Sequence, residues 1–474
     1  MNRISVQVIL FVLLMVELSA GIGENKIISA EEVRMRANSG QQLYFDGSTI
    51  VGDLNLSGLK IVGSVHFNST IFLNSVNFSF ANISGPSYFI KANFQGPAQF
   101  FGSEFVGPAF FSFSEFNNTS FSSSKFSWFA SFLYSKFNEE VDFSSSDFKE
   151  YANFCGSYFH KSASFSFSSF NCDGDFVGST FNNSVDFSSS NFYRSANFHN
   201  SRFNGPADFQ NGDFNSVAFI DAWFNSSVDF LGSKFNSRAD FWFSKFISHV
   251  DFQRSEFNGI AFFPNSYFNK IASFSYSRFN QSAIFWASGF NDTVYFNESS
   301  FNGDSDFLHS TFSGDAFFKE SEFNDSTKFN ESEFKGDAVF MSSVFKGKAY
   351  FWDSTFNGNV KFIISEFNDA AEFIDSEFNE EASFNDAVFK GDTSFNSSHF
   401  KEDALFWNTT FVGKLSLSRT RYKKLYIRWH DINSSLVYDD AAYMSLLKNF
   451  QELGYFLDYD SCYSQYVKEN GSQI

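Results

Sequence analysis

The chain has 474 residues, 76 of them phenylalanine, and only 18% are charged. A globular core ordinarily mixes Leu, Ile, Val and Ala, so this composition points away from a set of conventional globular domains, and a formal charge of −19 disfavours binding to nucleic-acid phosphates. The three cysteines, Cys155, Cys172 and Cys462, are too few for a disulfide framework; a Cys155–Cys172 bridge would join residues at different phases of the repeat described below.

The N-terminus reads Met1-Asn2-Arg3, then an apolar run from Ile4 to Val16, then small residues around Ser19-Ala20-Gly21. That pattern predicts a signal peptide over 1–23. The run is about 13 residues, short of the ~20 a spanning helix needs, so no membrane span is expected after cleavage, and the mature protein is expected to be secreted or at the cell surface. Ser29-Ala30-Glu31-Glu32 is a capping-box pattern that opens a short helix ending near Gly40; it defines an N-terminal cap over 24–41.

From residue 42 to 427 one pattern dominates. Phenylalanines recur every five, then six residues, giving an 11-residue unit such as Ala207-Asp208-Phe209-Gln210-Asn211-Gly212-Asp213-Phe214-Asn215. Two before the first Phe stands a small or β-branched residue (Ala152, Ala163, Val185, Ala196), and two before the second stands Ser (Ser146, Ser157, Ser179, Ser201). In extended backbone residues i−2 and i share a face, so each half-unit sends one small and one large side chain inward. Strands this short must be the sides of a coil wound round a Phe-filled axis, each ring stacking on its equivalent one coil away at ~4.8 Å. Aliphatic residues carry the pattern N-terminally (Leu43, Ile50, Leu54, Ile61), Ile83 replaces one Phe, and the spacing slips by one between Phe116 and Phe121 and between Phe214 and Phe219. The count is about 35 units, or about 17 coils of about 22 residues.

These residues resemble the pentapeptide-repeat proteins, whose five-residue faces carry a small residue at i−2 and Leu or Phe at the centre. The resemblance covers Gln42 to about Tyr422 and implies an all-β fold, a right-handed quadrilateral β-helix; the extra residue in alternate faces makes this a Phe-centred variant. At the C-terminus Tyr443, Leu446, Leu447, Phe450 and Leu453 fall at helical spacing and Gly454 stops the pattern, which predicts a helical cap over 428–474 through which the chain could self-associate. This tail, and the early Gly52-Asp53-Leu54-Asn55-Leu56-Ser57, are similar to segments of archaeal exported pentapeptide-repeat envelope proteins.

Catalytic, cofactor and metal residues are expected to be absent. The seven histidines fall at scattered phases without metal-ligand spacing, and no insertion is long enough to wall a polysaccharide-cleaving groove. Gly303-Asp304, Gly314-Asp315, Gly336-Asp337 and Gly391-Asp392 read as corner turns rather than calcium sites. Between Asn291 and Phe411 stand 23 Asp and Glu against 8 Lys, an acidic stretch read as a solvated surface. Trp242, Trp286, Trp352 and Trp407 each follow the first Phe of a unit, an outward position, and together form the candidate ligand surface, an exposed Trp row suited to stacking on sugars; the separations of the first three are multiples of 22, so these three are expected on one side. Asn-x-Ser/Thr triplets such as Asn68, Asn77, Asn225, Asn297 and Asn408 are candidate glycosylation acceptors in an exported chain. The functional expectation is a non-enzymatic, exported structural or adhesive element of the cell envelope. The alternative is a module that binds an envelope protein or glycan through the Trp side or the acidic coils, and a DNA-mimicking inhibitor is the remote third.

Overall fold

The computed structural model describes residues 25–471, so the expected leader at 1–23 lies outside the described residues. Two compact units divide between Asn236 and Ser237, and each is a parallel β-solenoid built of strands mostly two residues long.

In the unit ending at Asn236, one coil runs through Asn93–Phe94, Ala98–Gln99, Glu104–Phe105 and Ala109–Phe110. The first two strands belong to one ladder and the last two to another. Register advances by 22 residues, so that Ser87 pairs with Ala109 and Ala152 with Gly174. In the unit beginning at Ser237 the equivalent coil is Tyr267–Phe268, Ala272–Ser273, Arg278–Phe279 and Ala283–Ile284, and Tyr267 pairs with Gly289 at the same step.

The inward phenylalanines are fully buried and stack along each ladder: Phe143 on Phe165 at 4.9 Å and 5°, and Phe263 on Phe285 at 4.9 Å and 5°. Rings facing across the axis meet edge to face, Phe143 with Phe154 at 5.3 Å and 88°. Both geometries suit the ring quadrupole. The one-residue slips are absorbed as 21-residue coils. Ala98 pairs with Thr119 and Lys136 with Glu115 after the first; at the second, the strand Asn191–Asn197 shifts register between Phe192 and Ser195 against Asp213–Ala218. A third slip lies between Phe400 and Asp403, where His399–Leu405 pairs with Arg421–Tyr426; Tyr422 and Ile427 stand in place of Phe there, which hid it from the Phe count.

Each unit of eleven turns a corner through a residue with positive φ, for example Ser189 at 54° and Asn200 at 56°, or Asp353 at 52°, Ile364 at 60° and Asp375 at 56°. A hydrogen bond closes the turn, as from the Ser157 N–H to the Phe154 carbonyl at 3.1 Å, the signature of a turn with a left-handed third residue. Most of these corners are not glycine. They are held because the corner N–H is also bonded to the next coil, as Ile364 N–H is to the Asn385 carbonyl at 3.0 Å.

The Ser two before the second Phe has a role that its small size did not disclose. Its hydroxyl is buried and donates to the corner carbonyl of the preceding coil: Ser179 Oγ to Phe154 O at 2.6 Å, Ser201 Oγ to Phe176 O at 2.7 Å, and Ser277 Oγ to Phe252 O at 2.6 Å. The corner carbonyl thus accepts two bonds, one within its coil and one from the next.

Helices close the ends. Helix α1 (Ala30–Asn38) is capped by Ser29, whose hydroxyl accepts from Glu32 N–H at 3.2 Å. The ladder begins ahead of this helix, because Ile27–Ser29 pairs with Thr49–Val51. At the other end follow α2 (Trp429–Ile432), α3 (Asp440–Glu452) and α4 (Phe456–Gly471). Asn449 of α3 is buried and takes the place of a further strand: its Oδ1 accepts from Leu425 N–H at 3.0 Å and its Nδ2 donates to the Leu425 carbonyl at 2.8 Å. Asp458 of α4 accepts from Trp429 N–H at 2.8 Å and from Arg428 Nε at 3.0 Å. An open sheet edge is thereby covered and its polar groups are satisfied.

Two stability changes are expected. Ser179→Ala removes one of the two bonds to the Phe154 carbonyl and is expected to lower unfolding free energy by about 1 kcal/mol, read by urea titration. Asn449→Ala strands both main-chain groups of Leu425 at about 1–3 kcal/mol each; the Leu425 amide is expected to exchange with solvent deuterium faster than in the parent chain.

Candidate functional site

With the inner faces filled, contact chemistry is confined to outward columns, in which residues one coil apart stand over one another. The corner row of the second unit shows this directly: Phe243 N–H bonds to Pro264 O, Asn265 N–H to Trp286 O, Ala287 N–H to Leu308 O, His309 N–H to Asn330 O and Glu331 N–H to Trp352 O. Trp242, Trp286 and Trp352 therefore share one row, interrupted by Pro264, Leu308 and Asn330. Each is about 40% exposed. Trp352 is braced by its Nε1 donating to Glu372 Oε2 at 2.8 Å and by an edge contact with Tyr350 at 5.3 Å. Trp407 is not of this row. It follows Asn385 in the other corner row, where the Trp407 carbonyl accepts from Asp386 N–H, and it lies against Tyr426 at 5.8 Å; its distance of 55 residues from Trp352 is two and a half coils.

The acidic stretch is laced by exposed intercoil ion pairs such as Lys346 with Glu322 at 3.3 Å and Lys401 with Glu377 at 3.0 Å, each worth at most about 1 kcal/mol. The Gly-Asp pairs are corners: Asp315 Oδ1 accepts from Asp337 N–H at 2.9 Å and Asp392 Oδ1 from Lys414 N–H at 2.9 Å. Among the described residues no group of His, Cys, Asp and Glu is arranged to hold a metal.

In the first unit Asp186, Asp208 and Asp229 stand on successive coils of one outer face. Each carboxylate accepts the N–H two residues on, from Ser188, Gln210 and Leu231, at 2.8 Å. Burial raises the Asp208 pKa above the usual aspartate value; the Gln210 N–H bond opposes this, and the flanking Asp186 and Asp229 add to it.

A groove missed by the sequence reading lies on the opposite ladder of this unit. It encloses about 880 Å³ and runs across the coils from Leu133 and Tyr151 to Ala218 and Ile220. Asp175, Asn197 and Ala218 are paired one coil apart and form its floor. One wall carries Leu133, Cys155, Val177, His199 and Ile220; the other carries Tyr151, Asp173 and Ser195. Tyr134 lies across Gly156 at the rim, where a Cβ would meet its ring at 2.3 Å, so the ring rests on this corner because no side chain stands there. The three cysteines are free thiols, so the Cys155–Cys172 bridge is not formed. Burial, then the neighbouring Asp175, push the Cys155 thiol upward, which keeps it protonated and unreactive. The signal that could have found the groove is the column read at steps of 22 and 21: Tyr44, His66, Tyr88 and Phe110, then Ser131, Asn153, Asp175, Asn197 and Ala218. Large rings give way to small polar groups at Ser131.

Fold and surface together define a parallel β-solenoid of very short repeats, with its interior closed and its chemistry outside. The family of Pentapeptide repeats (9 copies) matches residues 167–213, 318–363 and 365–421; the chain thus carries pentapeptide repeats, in a Phe-centred form. None of the curated proteins matches it. Among solved structures it is similar to HetL, a pentapeptide repeat protein involved in heterocyst differentiation regulation from the cyanobacterium Nostoc sp. strain PCC 7120, at 8% identity over 84% of this chain and 96% of that chain, with a TM-score of 0.12.

The stacked carboxylates have a pH signature. Because the folded-state pKa of Asp208 is raised, the folded chain holds more protons than the unfolded one between the usual aspartate value and the raised one, and stability falls as pH rises through that window. Asp208→Asn keeps an acceptor for Gln210 N–H and removes the charge. It is expected to raise the Tm at pH 7 and to leave it nearly unchanged at pH 3, where the carboxyl is already protonated, as measured by thermal melts at both values.

Proposed function

We propose that this chain is a non-enzymatic, exported β-solenoid that serves as a structural or adhesive element of the cell envelope, touching glycan or protein partners through its outward corners. The observation that carries the reading is the division of labour among side chains: rings and hydroxyls are committed inward to stacking and stapling, while Trp242, Trp286 and Trp352 stand outward in one row. A row of half-exposed indoles on a rigid backbone suits stacking against flat apolar surfaces such as sugar rings. The basic, apolar and small-residue sequence of 1–23 supports export, and no helix among the described residues is long and apolar enough to cross a membrane.

The full chain is expected to be retained on immobilised envelope polysaccharide, with Trp286→Ala and Trp352→Ala each weakening retention by about tenfold, the order expected for one lost aromatic contact. Equal retention of both variants, or cleavage of the polysaccharide by the protein, would overturn the reading.

A further inference from the structure

The outer column that ends in the groove of the first unit is built in two parts. Its first four coils present a ladder of rings, Tyr44 on His66 at 4.2 Å, His66 on Tyr88 at 4.6 Å and Tyr88 on Phe110 at 5.3 Å. Ile90, Phe110, Phe129, Leu133 and Tyr151 then pack into an apolar cluster outside the solenoid, and this cluster forms one end of the groove. Beyond it the column shrinks to Asp175, Asn197 and Ala218, leaving a trough whose floor spans two coil steps, roughly 10 Å at ~4.8 Å per step.

The trough is lined by two carboxylates, Asp173 and Asp175, and by one imidazole, His199. Asp175 is only 8% exposed. Its Oδ2 accepts from Tyr151 Oη at 2.9 Å and its Oδ1 from Val177 N–H at 3.2 Å, and the Cys155 thiol also bonds to the carboxylate, which uses about three of its roughly four acceptor sites, while Asp173 keeps more of its own open. Asp173, on the adjacent wall, accepts from Ser195 N–H at 3.3 Å. No Lys or Arg lines the trough, and among the described residues neither carboxylate lies in an ion pair. The other buried carboxylate among the described residues, Asp458, is answered by Arg428 at 2.9 Å. A desolvated charge without an opposite partner is costly, and here it sits at the foot of a wall on which Val177 and Ile220 flank His199.

The geometry points to a binding site for a linear aliphatic amine: the ammonium group lies between Asp173 and Asp175, and the methylene tail runs along Val177 and Ile220 over Ala218. The ammonium supplies three donors to lone pairs that the protein leaves open, and the tail covers apolar wall. This inference rests on the outer faces being the working surface, and it concerns a different face and unit from the Trp row, so the two readings fail separately.

The test titrates n-hexylamine and its neutral counterpart 1-hexanol into the full chain by calorimetry at neutral pH. The amine is expected to bind at least tenfold more tightly than the alcohol. Asp175→Asn, which preserves the acceptor for Val177 N–H, is expected to bring the two within about twofold, and Asp173→Asn, on the half-exposed wall, is expected to act in the same direction if Asp175→Asn fails to fold. Ile220→Ala is expected to weaken amine and alcohol alike. Equal affinity for both probes, no binding of the amine, or an amine affinity unchanged by the folded Asp variants would overturn the proposal. Capture of a neutral oligosaccharide that depends on Asp175 while the amine does not bind would overturn it too, since the trough would then read hydroxyl groups.

Discussion

One spacing governs this protein: the distance at which parallel strands share hydrogen bonds is also a distance at which phenyl rings stack. Strands repeat at ~4.8 Å, and the stacked ring centroids of successive coils lie 4.4 to 5.6 Å apart, mostly near that pitch, as in Phe165 on Phe187 at 4.7 Å and Phe290 on Phe312 at 5.0 Å. Neither interaction strains the other. Phenylalanine fits because it is flat enough to repeat at this pitch and wide enough to reach the rings facing it across the axis. Leu or Ile fill such a column without a preferred stacking geometry, and the chain uses them near its ends, at Leu56, Ile61 and Leu417.

Because the repeat is so regular, the inner half of the structure was legible from spacing alone. The alternation of small residue and ring gave the inward positions, and the two five-residue gaps marked where coils shorten. What spacing could not disclose was conformational and directional. Corners such as Glu331, Ile364 and Arg419 adopt positive φ although nothing in their side chains favours it; the ladder imposes it. The seryl hydroxyls looked like small spacers, yet they act as donors. The Trp row was legible because its positions differ by whole coils, and Trp407 fell outside it for the same arithmetic reason. The groove was not legible, because its residues are ordinary polar ones and its shape comes from what the column lacks.

Outer columns are consequently where this fold can vary. An inward substitution disturbs a stack that continues on both sides, whereas an outward residue meets only its neighbours one coil away. The outer surface accordingly carries rings and carboxylates in the first unit, and amide ladders such as Asn258, Asn280, Asn302 and Asn324 and an indole row in the second. Recognition on such a scaffold is written in steps of the coil pitch. A ligand that lies along the coil axis meets one new residue per step, and each can change without moving the others.

The seryl staple has a further consequence for assembly. Each hydroxyl reaches back to a carbonyl laid down 25 residues earlier, as Ser179 does to Phe154, so a coil is complete only when its successor is in place. A chain that emerges from its N-terminus therefore templates itself: every finished layer presents an incomplete one, and the next stretch of sequence is its complement. Such a process has no natural stopping point in its own chemistry. Asn449, offering an amide where another strand would lie, is the full stop that the repeat could not write for itself.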